Sequence, residues 1–201
     1  MGFEPFSFLG VVKLAAKPLW DWIQGKRKTA QSKNRALHHF YTELADVRDR
    51  AVDAIRLLAG EHNRRNDPTQ RGGRNHDEYG PIATPLRLEF FGTKTIFEQH
   101  YVEFSPEQRK AMAQVLEFAD EYNGNLTELR ELSKKKYSEI RFSFAVGPVM
   151  TLATFVYLTT RLIEQKERYR LADSETAGGV VIKVLDGYHI KLYDVTFGDP
   201  K

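Results

Sequence analysis

Histidines beside carboxylates are the first residues in this chain whose types and spacing could do chemistry. His38-His39 precede Glu43, Asp46 and Asp53, and His39 and Glu43 stand one helical turn apart. At that spacing an imidazole and a carboxylate can share a proton or a metal ion. Yet no Glu-x-x-His pair of the di-iron bundle type and no His-Glu-x-x-His accompanies them. His76-Asp77-Glu78 falls in a stretch with no element to fix it. His189-x-Lys191 opens a pattern used in phosphodiester cleavage, but Thr196 holds the place of the required aspartate. Neither a Gly-x-Ser-x-Gly elbow nor a phosphate-cradling glycine loop is present. The chain has no cysteine, which excludes disulfides, thiolate catalysis and Cys-ligated zinc and fits a reducing compartment. Each polar cluster is therefore expected to be a solvated face. The sequence points to a non-enzymatic protein with no cofactor and no metal.

Two basic groups suggest binding instead of catalysis. Arg64, Arg65, Arg71 and Arg74 form a candidate anion-binding set, and Gln70-Arg71-Gly72-Gly73-Arg74 resembles a single arginine-glycine element. Asp67, Asp77 and Glu78 offset that charge, so nucleic acid is not the expected partner. The second group is Lys26, Arg27 and Lys28, continued by Lys33 and Arg35. It directly follows Trp20 and Trp22 in an aromatic, amphipathic opening over residues 5–24. Tryptophan next to lysine and arginine is the pattern of a helix lying in the headgroup region of an anionic bilayer. Trp20, Trp22, Lys26, Arg27 and Lys28 are the candidate membrane-docking residues.

The elements that must carry these groups are mostly helical. Leu37, Phe40, Leu44, Val47, Ala51, Ala54 and Leu58 recur at steps of three and four, predicting a core-facing helix over about 32–65. Pro18 predicts a kink or restart upstream. Pro68, Gly72-Gly73 and Gly80-Pro81 mark a loop over 66–83. Thr95 and Glu98 fit a capping box for a short helix over about 95–104, with Ile96, Phe97, Tyr101 and Val102 on its apolar side. Ser105-Pro106-Glu107-Gln108 is a strong helix start. The stripe beyond it must break, at Asn123-Gly124-Asn125 or, by preference, at Gly147-Pro148.

Phe142 to Thr160 is an uncharged run of nineteen residues, reaching roughly 28 Å as a helix, close to a bilayer's hydrocarbon thickness. Basic residues crowd both of its flanks, so no positive-inside asymmetry sets an orientation. It is a candidate transmembrane helix or a buried core helix, and periodicity leaves both open. In the tail, Asp186-Gly187 lies between Val180–Leu185 and Tyr188–Val195, a pattern that predicts a β-hairpin.

With 201 residues, 41% hydrophobic and a net charge of +3, the chain can bury a core and is mildly basic. The expected fold is mainly α, a bundle of three to five helices with a C-terminal β-hairpin. Residues 1–30 form the amphipathic-basic segment, 31–175 the bundle and 176–201 the hairpin tail. The expected function is that of a membrane-associated helical protein that binds a protein partner. It would be cytoplasmic, either peripheral or single-pass at the membrane, with homo-oligomerisation open. The alternative is a fully soluble interaction module contacting its partner, or nucleic acid, through the Arg-rich loop.

Overall fold

Leu44 and Val47 are completely buried, and the stripe they belong to lines the core from Phe40 to Ala59. The computed structural model describes residues 8–70, 82–135, 143–170 and 175–197, with side chains from residue 30 of the first helix onward. Among them are five α-helices: α1 Phe8–Asn66, α2 Thr93–Gln99, α3 Pro106–Leu132, α4 Val146–Gln165 and α5 Ala177–Gly187. The helix expected from residue 32 begins far earlier. It passes through Pro18 without interruption and comprises 59 residues, about 88 Å at 1.5 Å each.

The centre belongs to α4, which packs against α1, α3 and α5. His62 lies by Phe144, just before α4, and Tyr41 by Lys166 just after it, so α1 and α4 are antiparallel. Bonds from Gln108 to Lys166 and from Thr151 to Glu121 set α3 antiparallel to α4 as well. Val146–Arg168 is the one stretch among the described residues long and apolar enough to cross a membrane, and half of its apolar window is buried inside the fold. Pro148 falls in the first turn of α4, where no intrahelical donor is required. The break preferred at Gly147-Pro148 is thus where α4 begins. Asn123-Gly124-Asn125 remains inside α3.

The Ser105 capping box forms as its residues demand. Ser105 Oγ accepts from the Gln108 amide at 3.2 Å, and Gln108 Oε1 accepts from the Ser105 amide at 2.7 Å. The short helix expected over 95–104 is instead α2 followed by a separate 3₁₀ turn, Tyr101–Glu103. A non-helical strap, residues 82–92, precedes α2 and bonds to both α1 and α3. Its Leu88 is buried, and the Phe90 ring lies 6.3 Å from Phe155 of α4.

The expected C-terminal β-hairpin does not form. Residues 177–187 are helical, and no strand occurs among the described residues. The spacing of Val180, Val181, Val184 and Leu185 puts all four on one helical face, which is buried against α4. Thr176 Oγ1 caps the start by accepting from the Gly179 amide at 3.1 Å. Asp186-Gly187 is the last turn of a helix and not a hairpin turn. The Ile190 amide donates to the Leu185 carbonyl at 2.8 Å and the His189 amide to Asp186 at 3.0 Å, a Schellman ending. His189, at φ 56°, occupies the left-handed position that this ending requires.

Candidate functional site

The two ends of the bundle carry different chemistry. The end where α1 finishes gathers Glu61, His62, Arg65 and Asn66, all buried. The Glu61 carboxylate accepts from Arg64 at 2.7 and 2.9 Å and from Arg65 Nε at 3.0 Å. Arg65 is only 1% exposed. A guanidinium this deep needs its charge matched, and Glu61 one turn earlier provides the match. His62 Nε2 contacts the Tyr193 carbonyl at 3.0 Å. A carbonyl can only accept, so Nε2 carries the proton and Nδ1 accepts from Asn66 Nδ2 at 3.2 Å. Asn63 completes the cluster, donating to the Lys191 carbonyl at 2.7 Å and accepting from the Tyr193 amide at 2.7 Å.

Between α3 and the start of α4 lies an open groove of about 510 Å³, bordered by Glu121, Asn125, Glu128, Lys135, Phe144 and Gly147. Thr151 donates to Glu121 across it at 3.0 Å. The groove is lined by both polar and apolar side chains and carries no convergent catalytic set. Among the described residues no three His, Asp or Glu converge on a point that could hold a metal. His38 and His39 are exposed, and Glu43 is committed elsewhere. Its carboxylate accepts the amides of Phe91, Gly92 and Thr93 and the Thr93 hydroxyl, capping α2 from another helix. Burial works to raise the Glu43 pKa. The bonds from the Thr93 hydroxyl and from the three amides outweigh it and hold the carboxyl below its ordinary range.

At the opposite end, Gln108 Nε2 donates to the Lys166 carbonyl at 2.9 Å and reaches Tyr41 Oη at 3.4 Å. Burial first, and then the Glu167 charge, push the Tyr41 phenol up to about 12. Arg161 lies against the rings of Tyr157 and Tyr169, 5.5 and 5.6 Å from their centroids. It also donates to the Arg170 carbonyl at 2.8 Å and so pins the chain leaving α4. Lys33 of α1 forms an ion pair with Glu103 of the 3₁₀ turn.

Trp20, Trp22, Lys26, Arg27 and Lys28 all fall within α1, upstream of Lys33. Of the candidate anion-binding set, Arg64 and Arg65 sit together on Glu61, whereas Arg71 and Arg74 lie outside the described residues, as does His76-Asp77-Glu78. Sequence reasoning placed Glu43 with His39 and Asn123 at a helix break, and it passed over Asn63; their roles as a cap and as two clasps were missed. Asparagine inside a strong helical stripe is a poor helix former and was the available signal. Comparison with protein-family models, characterised proteins and solved structures found no match.

Proposed function

We propose that the protein docks on an anionic membrane surface through the N-terminal part of α1 and presents its bundle to a protein partner. The observation that carries this reading is the unbroken helical course of α1 from Phe8. At about 100° per residue, helical phase puts positions 8, 9, 11, 12, 15, 16, 19, 20, 22 and 23 on one half of the circumference. Those positions hold Phe, Leu, Val, Val, Ala, Ala, Leu, Trp, Trp and Ile, while Lys13, Lys17, Asp21 and Gln24 share the other half with Leu14. Lys26, Arg27 and Lys28 follow at once. An apolar half with flanking cations suits the headgroup boundary, where each nearby cation adds about 1 kcal/mol on an anionic leaflet. The packing of α4 among three helices favours surface docking over a span.

Flotation of the full chain with phosphatidylcholine vesicles, with and without phosphatidylserine, tests the reading. Binding is expected only with the anionic lipid, released by high salt and by carbonate, with a blue shift of Trp20 and Trp22 emission. Changing Lys26, Arg27 and Lys28 to Gln should weaken it most at low salt, and removing residues 1–28 should abolish it. Unchanged tryptophan emission with vesicles would overturn the proposal.

A soluble interaction module is the second reading, favoured by one observation. The apolar half of residues 8–24 overlaps in phase with the core stripe of Phe40, Leu44, Val47 and Leu58. A partner helix could therefore continue the bundle along α1. A dimer in solution together with no vesicle binding would select it. The burial of Arg65 against Glu61 argues against nucleic-acid contact through this arginine.

A further inference from the structure

We infer that the 3₁₀ turn Tyr101–Glu103 is a second lipid contact, which seats the lower end of the bundle on the bilayer; this rests on the docking reading above. The turn lies at the root of the docking segment, since Glu103 pairs with Lys33. Val102 is 85% exposed and Tyr101 is 48% exposed, an apolar tip that the fold leaves to solvent. One cation lies directly against it. The Arg109 guanidinium lies 4.8 Å from the Tyr101 ring centroid, and Gln108 joins Tyr41 to the turn that begins at Lys166. Of the acidic groups here, Glu98 stands three residues before Tyr101, Glu103 is engaged by Lys33, and Glu107 feels Arg170 and Arg109. Lys166, Arg168 and Arg170 outnumber Glu167 along the neighbouring turn.

Geometry links this tip to the docking segment. Lys28 stands five residues before Lys33, about 8 Å along α1, so a bilayer that receives the basic run passes close to the end of the bundle where Val102 is exposed. Aliphatic and aromatic side chains among cations are what an anionic bilayer surface receives best.

Leu86 supplies an internal control. It is 80% exposed but borders the same cavity as Leu57 of α1, which lies 24 residues beyond Lys33, about 36 Å along the helix. The chain has no cysteine, so Val102→Cys and Leu86→Cys in the full chain each accept one environment-sensitive fluorophore. With phosphatidylserine-containing vesicles, the label at 102 should shift to the blue together with the tryptophans, and the label at 86 should not. Val102→Asp should weaken vesicle partitioning roughly tenfold while the bound fraction keeps its tryptophan shift. A tryptophan shift with no change at 102 would overturn this inference and leave the docking reading standing. Silence at the tryptophans and at 102 would remove both. An equal shift at 86 would also overturn the inference, because it would mean adsorption without a preferred end.

Discussion

Two non-helical segments of this molecule are each held by one asparagine side chain, and they are held in different solvent. Asn123 of α3 accepts from the Leu88 amide at 2.9 Å and donates to the Leu88 carbonyl at 2.8 Å, acting as a neighbouring strand would. Asn63 of α1 does the same for the tail, bridging the Lys191 carbonyl and the Tyr193 amide. The strap clasp is partly buried over Leu88, and Tyr122 adds a 3.3 Å bond to the Leu86 carbonyl. Both tail bonds are exposed. Identical hydrogen-bond chemistry should therefore carry unequal weight, because a buried group without a partner is penalised and an exposed one finds water.

The largest expected effect follows from that inequality. Asn123→Ala should destabilise the fold by about 1–3 kcal/mol in denaturant unfolding. Asn63→Ala should cost less than about 1 kcal/mol and instead speed amide exchange at Tyr193. Equal losses from the two variants would show that burial does not separate the clasps.

A smaller effect, dependent on pH, concerns the strap's far end. Glu43 has a folded-state pKa below its unfolded value, so its contribution is fully present above the unfolded pKa. It is lost as pH falls through the folded pKa. In Glu43→Gln, unfolding midpoints measured across the acidic range should fall less steeply than in the parent. A parallel decline in both proteins would mean that the cap does not discriminate between charge states.

The smallest change should be a gain, at the tail. His189 holds a left-handed conformation at φ 56° where glycine has no steric penalty. His189→Gly should raise stability by about 0.5–1 kcal/mol, read as a higher thermal midpoint. A loss would show that the His189 side chain supports the tail in a way its backbone conformation does not reveal.

Much of the helical fold was legible because local signals and packing agreed. The stripe from Phe40 to Leu58 and the Ser105-Pro106 start each encode their outcome in a few adjacent residues. The tail misled because β-branched Val180, Val181 and Val184 and the Asp186-Gly187 pair match a hairpin locally. Only the surface of α4 awards that apolar run to a helix, and the left-handed residue is His189, two places past the glycine. Tyr101 and Val102 were read as part of the apolar side of a helix, but α2 ends at Gln99 and leaves both in the exposed turn. Glu61 stands three and four residues before Arg64 and Arg65, so their pairing was available from spacing alone. The partners of Glu43 and Asn123 were not, since they join segments about 50 and 35 residues apart, and such contacts follow from topology.

The unbroken course of α1 sets a distance. From Lys33, beside the tip of the bundle, to Arg65 at the polar end is 32 residues of a single helix, about 48 Å. In a bundle standing on lipid, α1 acts as a measured post. The end of the bundle at Arg65 would then stand well beyond the Debye length of a membrane's surface charge, about 8 Å at physiological salt. A partner bound there would meet the protein's own charges with the bilayer's field already screened out.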